Sequence, residues 1–235
     1  MSIPIHFPEN PVTTVYLLLR WIHFTAGITW VGMLYFFNLV NVPFMKEIDA
    51  GMKPAIFKGM TLRTLWWFRW SSVLTVLAGL VYWMMMASGE AHALGGNVGK
   101  LHGSFFGIWL GIFLIEYVLI MVVKLDNGWL LTAIMTVLLL AGSWLFLAQN
   151  SNGWASNRTL SIGIGGGMGL VMMLNVWGII WRAQKRIIHG ALGGTPPING
   201  AQLARQAYLA SRANFVMSLP MLLFMAAASH YPIFG

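Results

Sequence analysis

Three histidines at the ends of apolar stretches are the residues of this chain whose type and position best suit chemistry. His23 lies three residues after Arg20 inside an apolar run, His102 opens another run, and His230 closes the last one. Neutral imidazole is a common axial ligand of haem iron, and histidines on neighbouring helices hold a haem in the core of a bundle. We therefore predict that His23, with His102 or His230, ligates the iron of a non-covalent b-type haem.

Interfacial histidines offer a simpler interpretation of part of this pattern. Placing a histidine at a membrane surface costs little free energy, because its polar tip reaches headgroups or water. His102 and His230 could therefore be interfacial residues that bind no haem. His23 is the stronger candidate because it lies within the apolar run. Arg20 and Lys100 are basic residues at the same predicted depth and could meet haem propionates. The other histidines, which we expect outside the site, are His6, His92 and His189.

Glu116 is a carboxylic acid near the middle of the apolar run IWLGIFLIEYVLIMVV. Burying it in ionised form is costly, so it must be protonated, paired, or beside a water-filled path. It is our candidate proton relay, and the alternative is a neutral acid that bonds a neighbouring helix. Asn38, Asn41 and Asn175 are expected to bridge helices in the same way.

The elements that must position these side chains are membrane helices. Hydrophobic residues make up 58% of the 235 residues and charged residues 9%, whereas soluble chains carry about a quarter charged residues. We predict one all-α integral membrane domain over residues 1–235, a bundle of about six transmembrane helices without a separate soluble domain. The predicted spans are about Arg20–Lys46, Trp66–Ala87, Leu101–Val123, Trp129–Leu147, Leu160–Trp181 and Tyr208–Ser229.

Basic residues in the segments between the spans set the predicted orientation. The positive side of such a protein faces the cytoplasm, so both termini should be periplasmic in a bacterial inner membrane. The same topology explains the net charge of +8 without nucleic acid. Lys100 and Arg158 lie on the outward side, and the inward side holds Lys46, Lys53, Lys58, Arg63, Lys124, Arg182, Lys185, Arg186, Arg205 and Arg212.

The absence of cysteine and the glycines of the fifth span limit the other chemistries. With no cysteine, the chain has no disulfide, thiolate metal site or covalent C-x-x-C-H haem attachment. The stretch SIGIGGGMGLVMMLN follows no strand, so a nucleotide-binding loop is excluded. Its glycines at four-residue spacing predict close helix packing or clearance for a flat cofactor. Copper handling is a weaker hypothesis, because the methionines do not cluster beside the outward histidines.

Four stretches together resemble the membrane-bound urate hydroxylase family, the urate oxidase N-terminal-like membrane domain. They are RWIHFTAGITWVGMLYF, WFRWSSVLTVLAGL, GMGLVMMLNVWGIIWRAQK and ANFVMSLPMLLFMAAASHYP, in the family's order. The first also resembles the first helix of the membrane protoporphyrinogen oxidase and copper-resistance families. The positions that match the family pattern are His23, Trp30, Arg69, Asn175, Asn214, Pro220, His230, Tyr231 and Pro232.

The resemblance implies a membrane module that oxidises a small substrate and passes electrons to a c-type cytochrome domain on the outer side. Departures from the pattern point to a short form that lacks this cytochrome domain. Histidines expected near Gly163 and Ala213 in the urate enzymes are also missing, which argues against urate chemistry and a second haem.

We therefore expect a b-haem protein that passes electrons between a quinone or small reductant and a separate periplasmic c-type cytochrome. The alternative is a non-catalytic structural subunit of a larger membrane enzyme complex, with interfacial histidines. Both hypotheses allow other membrane subunits or a homo-oligomer as partners in the lipid bilayer.

Overall fold

The computed structural model describes residues 10–151 and 153–234, which form helices and no strand. Six helices are long and apolar enough to cross a membrane. The predicted all-α class is confirmed for these residues, and the expectation for His6 lies outside them. The helices are α1 Pro11–Glu47, α2 Ala50–Leu94, α3 Val98–Val122, α4 Gly128–Asn150, α5 Asn157–Ala191 and α6 Gly200–His230.

Polar residues fix where several helices begin. The Asn97 side chain accepts a hydrogen bond from the Lys100 amide at 2.9 Å, and Asn127 does the same for Trp129 at 3.0 Å. Ser156 caps α5 by accepting from the Thr159 amide at 3.2 Å. These caps satisfy amide groups that the first helical turn leaves without a partner. They explain why short polar segments interrupt the apolar runs at these points.

The helices are longer than the predicted spans, and the basic inward residues are mostly helical rather than in loops. α1 begins at Pro11 instead of Arg20, and α2 begins at Ala50 instead of Trp66. Hydropathy detects only the apolar part of a helix, whereas the backbone continues wherever polar residues can face solvent. The segment Trp181–Ala191 at the end of α5 is such an extension, with Ala183 and Ile188 buried and its basic residues outside.

The chain runs up and down, so the helix termini form two ends. We call the end with Pro11, Leu94, Val98 and His230 the outer end, and the opposite, basic end the inner end. α5 lies centrally, packed against α2, α3, α4 and α6, while α1 pairs with α2 and also contacts α6. α5 is the most buried of the six helices, and α1 is the least buried.

The glycines of α5 serve two different faces of this central helix. A Cβ atom at Gly163 would collide with the Phe146 ring, and one at Gly167 would collide with the Trp109 indole. These two glycines therefore let α3 and α4 side chains reach the α5 backbone, whereas the spacing had predicted the close approach of two helix backbones. Gly165 instead faces α6, and Gly169 lies beside open space.

Four of the helices contain a wider π-helical turn toward the inner end. These turns are Phe36–Asn41, Phe57–Thr61, Val118–Val122 and Val176–Ile180. A π turn changes the backbone hydrogen bonding within a helix and is frequent at functional sites. One of them begins two residues after Glu116, and another begins directly after Asn175.

Candidate cofactor site

A cavity of about 610 Å³ opens between α1, α2, α5 and α6 in the outer half of the bundle. Its volume lies in the range of small-molecule and cofactor sites, about 300–1,000 Å³. Most of the lining is apolar, and His23, His230 and Arg20 are among the residues that border it. No aspartate or glutamate is among the described residues that line it.

His23 is held on the wall of this cavity by the backbone of α2. Its Nδ1 atom lies 2.7 Å from the carbonyl oxygen of Thr75. A carbonyl only accepts hydrogen bonds, so Nδ1 must carry the proton and donate. This fixes the tautomer in which Nε2 has a free lone pair, and no described residue bonds Nε2. The arrangement matches metal-bound histidines, which donate through the second ring nitrogen to a carbonyl or carboxylate.

Gly79 makes this position possible. A Cβ atom at residue 79 would lie 2.6 Å from Nδ1 of His23, closer than real Cβ contacts. Because Gly79 is one helical turn beyond Thr75, the imidazole can lie flat against α2 and still reach the Thr75 carbonyl. The α2 helix thus supplies both a space and a hydrogen-bond acceptor for His23.

Glycines also widen the cavity on opposite sides. A Cβ atom at Gly32 on α1 or at Gly169 on α5 would meet no atom within 4 Å, although Gly169 itself is buried. Gly165 lies closer to α6, where a Cβ would be 3.1 Å from the Met221 carbonyl oxygen. Because Gly169 is buried and yet has open space beside it, it faces the cavity. The cavity therefore has room for a flat group next to α5.

The rim of the cavity carries the other predicted residues at the outer end. His230 ends α6 with an exposed side chain, and Arg20 lies with its Cζ 6.0 Å from the centre of the Tyr82 ring. His230, Arg20 and Tyr82 all line the cavity, as His23 does. The structure therefore brings His23, His230 and Arg20 to one cavity.

The structure does not bring His102 or Lys100 to this cavity. The His102 ring lies 5.5 Å from the Trp83 ring, centre to centre, and its Nε2 is buried without a hydrogen-bond partner. Trp83 lines the cavity but His102 does not. The side chain of Lys100 is exposed in the first turn of α3, away from the cavity lining.

Glu116 belongs to a separate buried polar cluster, toward the inner end, with Asn175 and Asn214. Asn175 Nδ2 lies 2.9 Å from both Glu116 Oε2 and Asn214 Oδ1, and donates to each. Asn214 Nδ2 donates to the Met172 carbonyl at 2.9 Å. Asn175 thus bridges α3 and α6, as predicted. Asn38 likewise bridges α1 and α6 by donating to Ser211 Oγ at 2.9 Å.

Sequence reasoning missed Thr75, Gly79 and Ser218, which help to shape these two sites, and it assigned no role to Gly32 or Asn214. Ser218 Oγ lies 3.2 Å from Tyr35 Oη, and Tyr35 lines the cavity. Asn214 and Ser218 are four residues apart on α6, so they share a face. Asn214 was noted only as a family-like position, and buried polar residues at this spacing were the available signal.

The fold and cavity define a six-helix protein of membrane-spanning dimensions with a histidine-bearing, cofactor-sized cavity. Within residues 10–151 and 153–234, no three His, Cys, Asp or Glu side chains are grouped so as to hold a metal ion.

The family model described as urate oxidase N-terminal matches residues 58–234, and the chain belongs to this family. The match includes Glu116, Asn175 and His230, while α1 with His23 precedes it. Comparison with curated proteins and with solved structures finds no match.

Proposed function

We propose that the chain is a b-haem-binding membrane protein that passes electrons between a quinone or small reductant and a separate periplasmic c-type cytochrome. The observation that carries the proposal is His23, which lines a cofactor-sized cavity and whose Nδ1 is bonded to the Thr75 carbonyl, so that Nε2 has no partner among the described residues. Held in this way, His23 has the tautomer that a metal ligand requires, which supports the proposal. A bound haem would supply one-electron redox chemistry.

The remaining cavity residues support a haem rather than a small metal ion. Gly32 and Gly169 provide flat walls for a planar ring, and the rest of the lining is largely apolar. His230 is the better candidate for a second ligand, because it borders the cavity and His102 does not. Arg20 borders the same space and could pair with a propionate. Lys100 does not line the cavity, so it would not pair with a propionate.

The exposed apolar surface supports a location in the lipid bilayer, and the place of the cavity supports a partner at the outer end. Large apolar side chains are exposed on the helices, as lipid contact requires, and the basic residues gather at the inner end. This supports an inner membrane location with the outer end facing the periplasm. A cofactor in the outer half of the bundle would lie nearer to a periplasmic cytochrome than to the cytoplasm.

Replacement of His23 tests the proposal. The His23→Ala variant should lose most of the haem absorbance of the purified protein, because the ligand is removed. The His92→Ala variant is a matched control, since His92 is exposed at the end of α2 and does not line the cavity. Full haem retention in His23→Ala, or equal loss in both variants, would contradict the assignment of His23.

A colourless wild-type protein from haem-replete cells would contradict the proposal as a whole. It would favour the alternative of a structural subunit with interfacial histidines.

A further inference from the structure

Glu116 and Asn175 form a buried carboxyl–amide contact in which one oxygen on each side chain has no partner. Both residues are 0% exposed, and Asn175 Nδ2 donates to Glu116 Oε2 at 2.9 Å. Glu116 Oε1 and Asn175 Oδ1 are buried without a hydrogen bond to any described residue. The contact therefore lacks a hydrogen-bond donor for these two oxygen atoms.

An ionised Glu116 would leave two buried acceptors, Glu116 Oε1 and Asn175 Oδ1, without a donor among the described residues. A carboxylate oxygen and an amide oxygen both only accept, and an unpaired buried acceptor is costly. One proton on Glu116 Oε1 would supply the missing donor. We propose that Glu116 is a neutral acid that forms a two-bond ring with Asn175, and that it exchanges its proton with the inner side. In this ring Nδ2–H donates to Oε2, and Oε1–H donates to Oδ1.

No cation among the described residues forms an ion pair with Glu116. Arg182 donates to the Tyr117 hydroxyl at 3.3 Å, and Arg69 stacks 3.5 Å from the centre of the Trp181 ring. Arg205 pairs with Asp126. Lys124 lies in the segment between α3 and α4, and α4 carries no charged residue. Among the described residues, none of these cations bonds Glu116. A neutral carboxyl fits this surrounding better than a charged one.

A pocket of about 450 Å³ lies at the inner end, between the end of α3 and the first turns of α6. Ile120 lines the pocket and lies four residues, one helical turn, beyond Glu116 on α3. The Ile120 carbonyl accepts a hydrogen bond from Gln206 Nε2 at 3.1 Å, so a buried polar contact joins α3 and α6 at this pocket. Because one wall of the pocket lies a single helical turn from Glu116 on the inner side, the proposed proton exchange runs through this pocket.

Infrared spectroscopy of the purified protein tests the protonation state. At neutral pH the wild type should show the C=O stretching band of a protonated carboxyl, and Glu116→Gln should lack it. Glutamine retains the ring because its Nε2 can donate to Asn175 Oδ1. Glu47→Gln is the control, since Glu47 is exposed and should contribute only a carboxylate band. Carbon-13 labelling of glutamate should shift the band in the wild type, which needs no substitution.

The absence of a protonated-carboxyl band in the wild type would overturn the proposal. So would a band that remains in Glu116→Gln. Haem is not involved in this measurement, and haem-free protein should give the same result, so failure here is distinct from failure of the proposed function.

The rate at which the band shifts after transfer to heavy water tests the route. Gln202→Trp should fill the inner pocket, which Gln202 lines, and slow the exchange several-fold. Ala204→Trp is the matched control, because Ala204 is exposed on the same helix and does not line the pocket. Equal exchange rates in the wild type and both variants would contradict exchange through this pocket.

Discussion

At the scale of single residues, His23 depends on two α2 residues that carry no reactive group. The Thr75 carbonyl orients the imidazole, and Gly79 leaves the space in which it lies. The type and depth of His23 could be predicted from its position in an apolar run. Its partners could not, because they lie more than fifty residues away and their contribution comes from backbone atoms.

We predict that Gly79→Ala weakens haem binding without removing the ligand. The added Cβ would lie 2.6 Å from Nδ1, so the ring must move and lose its bond to Thr75. Loss of such an orienting contact typically lowers metal affinity about 10–100-fold. Haem titration of the purified variant measures the change. Gly89→Ala is the control, since its Cβ would meet nothing within 4 Å, and equal affinities in the two variants would refute the orienting role.

At the scale of helices, some glycines of α5 serve helix packing and others border the cavity. Gly163 and Gly167 admit the Phe146 and Trp109 rings, whereas Gly169 borders open space. The four-residue spacing indicated close packing, and it also allowed clearance for a flat group. Which glycines serve which purpose could not be predicted, since it depends on the rotation of α5 against four neighbouring helices.

Helix ends show a similar division between what could and could not be predicted. Six spans followed from hydropathy, because about twenty apolar residues are needed to cross a bilayer. The helical extensions at the inner end did not, because Lys53, Lys58 and Arg63 are polar and yet lie in α2. The π-helical turns also have no local sequence signal that we recognised.

We predict that Gly169→Phe excludes the haem while the bundle still assembles. The ring would enter the cavity, where a Cβ meets no atom within 4 Å, so it competes with the cofactor rather than with helix packing. Haem content per protein should fall to near zero, measured together with the size-exclusion profile. Gly107→Phe is the control, because Gly107 is exposed on α3 and also meets nothing within 4 Å. Equal haem content in both variants would show that the cofactor lies elsewhere.

At the scale of the whole molecule, the charge distribution predicts one orientation in the membrane. Ten of the fourteen lysines and arginines were assigned to the inward segments, and these residues lie toward the inner end. Predicting the orientation needs only the charges between the apolar runs and the number of spans, so it can be made from the sequence. The cavity needs four helices that are distant in the sequence, so it required the structure.

Cysteine labelling can test this orientation, because the chain contains no cysteine. Ser151→Cys lies between α4 and α5 at the outer end, and Thr195→Cys lies between α5 and α6 at the inner end, both exposed. A membrane-impermeant maleimide should label Ser151→Cys in spheroplasts, and Thr195→Cys only after the membrane is broken. The reverse pattern would mean that the bundle has the opposite orientation.

The absorption spectrum of the purified wild-type protein, oxidised and then reduced with dithionite, tests the central claim most directly. We predict a b-type α-band on reduction and a pyridine haemochrome of protohaem, because His23 and the apolar cavity fit a non-covalent haem. Protein purified from haem-replete cells that shows no haem band in either state would contradict the account.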